Sequence, residues 1–192
     1  MCSMCPRRFR GVTLIELIVF IVIVGVAMAG LFAAFNTVTA ASADPQVRKQ
    51  VLAIAESLME EVQLMPFTYC DPDDANAATA SGTGGCAVAA NNEDLVMGPE
   101  GAETRYSTTS RFDNVSDYHG FSMASGIQDI ENNTISGLGS YSASIAITRA
   151  GTALGLAANE DALKISIQVT GPGSVSMTLD GYRTRYAPNA LP

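Results

Sequence analysis

The chain has 192 residues, 47% of them hydrophobic and none of them Trp, and a formal net charge of −8. That length admits one domain plus an anchor. Arg7, Arg8 and Arg10 precede Val12 and no acid does, so the remainder is strongly acidic; such a body repels phosphate, which excludes nucleic acid as its partner.

At the N-terminus Cys2 and Cys5 form a CxxC pair. No second pair follows and the only histidine is His119, so the pattern does not make a zinc site. From Val12 to Phe35 the chain is apolar, and Glu16 is the only ionisable side chain. As a helix this run is ~36 Å long at about 1.5 Å per residue, enough to span a bilayer core. The three arginines hold the preceding segment on the cytoplasmic side, which puts the body outside the cytoplasm. An unpaired acid inside a membrane helix costs about 2.5–3.5 kcal/mol, so Glu16 calls for a partner.

The residues leave three readings of this segment. A cleaved secretory signal would use the small-x-small site Ala41-Ser42-Ala43, with Arg7-Arg8 hinting at a twin-arginine variant; the apolar run is long for that and contains Glu16. An uncut membrane anchor accounts for length and flanking charge but not for Glu16. The third reading uses every residue: basic leader, Gly11, Val12-Thr-Leu-Ile-Glu16, long apolar helix.

That third pattern resembles the class III signal of type IV prepilins. The resemblance implies that a prepilin peptidase on the cytoplasmic face removes leader 1–11 by cutting between Gly11 and Val12. It implies a methylated amine on Val12, and a Glu16 carboxylate that meets the N-terminal ammonium of a neighbouring subunit. The physics agrees, because two charges that are each costly in lipid stabilise one another when adjacent. One such pair fixes an axial register that apolar packing leaves free. Two positions depart from the family pattern. Val12 stands where Phe is usual, and Ala33 stands where many members have a helix-breaking Pro. Gly25 and Gly30 would let neighbouring helices approach closely.

Asp44-Pro45 reads as a cap followed by Pro at a first helical position. Val47, Val51, Ile54, Leu58, Val62 and Met65 then make one apolar stripe, with Arg48, Lys49, Glu56, Glu60 and Glu61 on other faces and Pro66 as the stop. The spine thus has an assembly half over 12–35 and an amphipathic half over 36–66, joined into one long helix if Pro45 causes only a bend. Residues 67–139 read as a variable loop region. Within it Cys70 and Cys86 fit a disulfide of an oxidising compartment. Asp71, Asp73, Asp74 and Asn76 offer oxygens of the kind calcium takes, but without EF-hand spacing, so a solvated acidic turn is the better reading and no metal or cofactor is expected. Residues 103–111 alternate as a short strand would. Phe112 to Gly120 reads as a turn with two aromatic anchors, and His119 as a loop hydrogen-bonding residue.

Residues 140–192 read as an antiparallel sheet. One strand starts at Tyr141, with Tyr141, Ala143, Ile145 and Ile147 on one face. Leu163–Val169 and Val175–Leu179 alternate around the turn Gly171-Pro172-Gly173. The apolar face needs a cover, and the amphipathic half of the spine supplies it. The fold class is α+β and pilin-like: a long N-terminal helix packed on a small C-terminal antiparallel sheet. Asp44-Pro45, Leu58-Met-Glu-Glu-Val62, Phe112–Gly120 and Gly181-Tyr-Arg-Thr-Arg-Tyr186 are similar to the D-type minor pilins of mannose-sensitive haemagglutinin pili. That resemblance implies a subunit acting in pilus assembly and surface adhesion. Its partners would be other pilins and minor pilins, the prepilin peptidase/methyltransferase and the inner membrane. The protein would be a single-pass inner-membrane protein with a periplasmic body before assembly, and part of a surface filament after it. A pseudopilin of a type II secretion system and an uncleaved membrane-tethered periplasmic binding module are the alternatives. No enzyme motif is present.

Overall fold

The structure, a computed structural model, describes residues 11–94 and 97–191, without the side chains of 37–44. Arg7, Arg8, Arg10, Cys2 and Cys5 lie outside the described residues, and so do the side chains of Ala41, Ser42, Ala43 and Asp44. The chain divides at Pro45 into two compact units.

Helix α1 runs from Leu14 to Leu64 and takes Pro45 into its interior. Asp44-Pro45 is therefore not a helix start, and of the two readings of Pro45 the helix follows the continuous one. Passing through a proline forfeits one i→i−4 bond and adds a clash, but stopping and renucleating would leave four carbonyls and four N–H groups without intrahelical partners. In the first unit every described side chain from Val12 to Asn36 is exposed. The stretch Leu14–Asn36 has a mean hydropathy of 2.9, so it is long and apolar enough to cross a membrane.

The second unit holds the core. Val51, Ile54, Ala55, Leu58, Met59 and Val62 of α1 are buried, at the three- and four-residue spacing that makes one helical stripe. They cover a four-stranded antiparallel sheet in the order β1-β2-β3-β4. The strands are β1 Ser122–Met123, β2 Ser142–Arg149, β3 Ala162–Thr170 and β4 Ser176–Thr184. The alternation of β2 and β3 puts Ala143, Ile145, Ile147, Leu163, Ile165, Ile167 and Val169 on the inner face. Ile145 pairs with Ile167 and Ile147 with Ile165. The β3–β4 turn is closed by Gly171 N–H donating to Val175 O at 2.8 Å, with Gly173 at φ 70°, a value glycine adopts without penalty. β4 continues five residues past the expected end at Leu179. Gly181 allows this: a Cβ there would come within 2.6 Å of Met59 Sδ, so α1 lies directly over the strand.

The loop region carries order that periodicity did not reveal. Residues 103–111 form no strand, which corrects that expectation. Thr104 N–H donates to Ser110 O at 3.2 Å, and Ser107 Oγ accepts from the N–H groups of Thr109 and Ser110. The segment turns because its Arg105 side chain is drawn inward to Glu61. Cys70 and Cys86 form a disulfide with Cα atoms 5.5 Å apart. Phe112 and Tyr118 anchor their turn edge to face at 5.0 Å, and His119 Nδ1 accepts the Ile147 N–H at 3.1 Å.

Candidate functional site

Three constellations stand out, one in the first unit and two in the second. In the first, Thr13 precedes the helix and its Oγ1 accepts the Glu16 N–H at 3.4 Å. Thr13-Leu-Ile-Glu16 is thus a capping-box sequence, with Glu16 at the third helical position where a carboxylate also favours the helix dipole. The Thr-x-x-Glu spacing is the sequence signal of this local role. It positions Glu16 without neutralising it, since among the described residues no side chain pairs with its carboxylate. Val12, beside it, is 70% exposed. Among the described residues, a Cβ placed on Gly25 or Gly30 meets nothing within 4 Å.

The second constellation joins α1 to the loop region. Arg105 is buried and donates from Nε and Nη2 to the two Glu61 oxygens at 2.7 and 2.8 Å. Its Nη1 donates to the carbonyls of Gln128 and Asp129, both at 3.1 Å, and Tyr118 OH donates to Glu61 Oε1 at 2.9 Å. Burial alone would lower the Arg105 pKa, but the Glu61 carboxylate overrides it and the net shift is upward. Glu61, placed by periodicity on an outer face, is instead half-buried and bonded.

The third constellation is acidic. The expectation of a solvated acidic turn is corrected at two of its residues, because Asp71 and Asp74 are buried while Asp73 and Asn76 are exposed. Asp74 organises the disulfide loop: its carboxylate accepts the N–H groups of Asn76, Ala87 and Val88 at 2.9, 2.8 and 3.0 Å and the Asn91 amide at 3.3 Å. Burial would raise its pKa, yet these donors outweigh burial and the net shift is downward. Asp71 belongs elsewhere. Its carboxylate oxygen lies with those of Glu93 and Glu100 in one group, and with those of Glu103 and Asp113 in another; Glu100, Glu103 and Asp117 form a third. Within each group the oxygens are all within 4.8 Å of one another. Asp73 and Asp74 are in none of the three. Backbone bonds build the site: Asp71 N–H donates to Asn91 O and Glu93 N–H to Tyr69 O. Burial first, then neighbouring carboxylates, pushes Glu93 up to about 9 and Glu100 and Glu103 to about 8. Asp113 rises to about 7 for the same reasons, and Asp117 to about 6 through burial against the pull of two backbone N–H groups. No spacing rule assembles residues 71, 93, 100, 103, 113 and 117, because loop closure and not periodicity brings them together.

Residues 6–32 match the prokaryotic N-terminal methylation motif, the signal of type IV pilin-like and pseudopilin-like proteins. The motif implies processing by a prepilin peptidase and assembly with other pilins. With the one apolar helix, it fits a membrane-anchored pilin. No curated protein and no solved structure matches the chain.

Proposed function

We propose that this protein is a minor pilin of a type IV pilus, of the mannose-sensitive haemagglutinin type, taking part in pilus assembly and through it in surface adhesion. The observation that carries this reading is a carboxylate, Glu16, that has no side-chain partner among the described residues, at the head of a helix whose described apolar residues up to Asn36 are exposed and which begins inside a methylation motif. Cleavage between Gly11 and Val12 creates an ammonium on Val12. The Glu16 carboxylate of one subunit and the Val12 ammonium of the next then neutralise one another in the fibre interior and set the register. Before assembly, residues 12–35 hold the subunit in the inner membrane, with its body in the periplasm. There an oxidising environment keeps Cys70–Cys86 closed. The role is structural, with no catalysis.

Intact mass of the protein extracted from cells with and without the prepilin peptidase is the test. A chain starting at Val12 and methylated, seen only when the peptidase is present, is expected. A chain that keeps Met1 in both points to the tethered periplasmic module, and one starting at Asp44 to an ordinary secretory signal. A pseudopilin of type II secretion shares the same signal; deletion separates the two, since loss of pili supports the minor pilin and loss of secretion with intact pili supports the pseudopilin.

A further inference from the structure

The acidic constellation in the loop region has a property that a set of surface acids lacks: its oxygens are buried and left over. Glu93 and Asp117 are each 1% exposed and Asp71 is 3% exposed. Glu93 Oε1, both Glu100 oxygens, Glu103 Oε2, Asp113 Oδ1 and Asp117 Oδ1 are buried without any hydrogen-bond partner. Buried oxygens without donors are costly and rare in native proteins, so each asks for an explanation. The ion pairs of the described residues join Arg105 to Glu61, Lys164 to Asp180 and Arg185 to Asp94, and none reaches this group. With no cation among them, burial and their closeness disfavour ionisation of these acids, and a bound cation would reverse that preference.

The carboxylates are also pre-aimed. Asp117 uses Oδ2 to accept the N–H groups of Asp113 and Asn114 at 2.9 and 2.7 Å, which leaves Oδ1 over. Glu93 uses Oε2 to accept the Ser116 hydroxyl, which leaves Oε1 over. Asp71 Oδ1 accepts the Asp73 N–H at 2.6 Å. One oxygen fixed by the protein and one free is how ligating carboxylates are oriented at metal sites.

We propose that Asp71, Glu93, Glu100, Glu103, Asp113 and Asp117 bind calcium, at least one ion per chain. Asp71, Glu100 and Glu103 each belong to two of the three oxygen groups, so the groups adjoin and an ion in any one of them meets three carboxylates at once. The donor set is all carboxylate, with neither nitrogen nor sulfur, which selects a hard cation over zinc or copper. The abundance of side-chain oxygens suits the six to eight ligands of Ca²⁺ better than Mg²⁺, which retains water and demands an octahedron. The half-exposed Glu100 and Glu103 supply the entry path. The ion would tie the segment after Cys70, Glu93, the segment carrying Glu100 and Glu103, and the Phe112–Tyr118 turn to one another. This inference does not rest on the filament reading.

The test uses the full chain in detergent, stripped with EDTA and then titrated with CaCl₂ or MgCl₂. Expected are retention of at least one Ca²⁺ per chain after desalting and a Tm about 5 °C or more higher in millimolar Ca²⁺ than in EDTA, with a smaller rise in Mg²⁺. Glu100→Gln removes a carboxylate whose oxygens accept from no backbone or side-chain donor outside the acidic cluster. That variant is expected to keep the wild-type circular dichroism and to lose at least tenfold in Ca²⁺ affinity, whereas Asp73→Asn, outside the three groups, keeps it. An unchanged wild-type Tm with no retained Ca²⁺ overturns the proposal, as does wild-type affinity in Glu100→Gln or an equal response to Mg²⁺.

Discussion

Glu16 and Glu61 lie on the same helix and have opposite circumstances. Glu16 has its backbone N–H capped by Thr13, and among the described residues no side chain pairs with its carboxylate, whose apolar neighbours are all exposed. Glu61 sits on a half-buried turn with a bidentate Arg105 and a tyrosine hydroxyl. Around Glu61 the body pairs its charge, and it covers its apolar stripe from within. The N-terminal stretch does neither. Its chemistry is complete only in another medium or against another subunit, which is why membrane storage and filament assembly are natural uses for it.

The sharpest way to break this contrast is Glu16→Ala. Surface pili are expected to be lost, or to fall at least tenfold, while processing at Val12 and the Tm of the body stay as in the wild type. Normal pilus counts would contradict the register role, and a fall in Tm would show that Glu16 serves the body after all. Next comes Arg105→Ala, which leaves Glu61 half-buried and unpaired. Removing one partner of a buried pair costs about 3–5 kcal/mol, readable in urea unfolding. The exposed pair Lys164–Asp180, at 2.9 Å, is the internal control, and Lys164→Ala should leave the midpoint where it is.

Cys70→Ser is expected to cost about 3 kcal/mol through the loop it opens, measurable as the same loss in wild type under reductant. Glycines give a smaller and cleaner comparison. Gly181→Val forces side-chain atoms against Met59 and should cost about 1–3 kcal/mol by overpacking. Gly25→Ala, whose added Cβ meets nothing within 4 Å among the described residues, should leave the body's stability unchanged and reveal itself only in filament yield. The smallest effect is pH-dependent. The folded Asp74 carboxyl titrates below its ordinary value of 3.8. Its contribution is therefore complete above that value and lost as pH falls through the lower folded one. Amide-exchange protection at Ala87 and Val88 should decline in that acid window, and Asp74→Asn should remove the dependence.

Much of the molecule was legible because it is periodic. The helical stripe from Val51 to Val62 and the alternation in β2 and β3 are one-dimensional signals, and they specified both the elements and the faces that meet. Signals that depend on a few residues were less secure. Pro45 reads as a helix start, yet the helix passes through it. Residues 103–111 alternate, yet Arg105 turns inward for the sake of a carboxylate 44 positions earlier. The Asp71-Pro-Asp-Asp74 turn looks solvated, yet two of its three acids are buried for unrelated reasons, one to brace the disulfide loop and one to join a cluster.

By itself the sequence determined the N-terminal methylation motif, the long apolar helix with its single acid, and an antiparallel sheet with an amphipathic cover. Each of these is set by residues within one or two helical turns or strand repeats of one another. Only the tertiary structure decided where Arg105 finds its partner and which acids face each other. Those contacts join residues tens of positions apart through loops of irregular backbone. Their geometry follows from the packing of the whole body and not from any local preference of the chain.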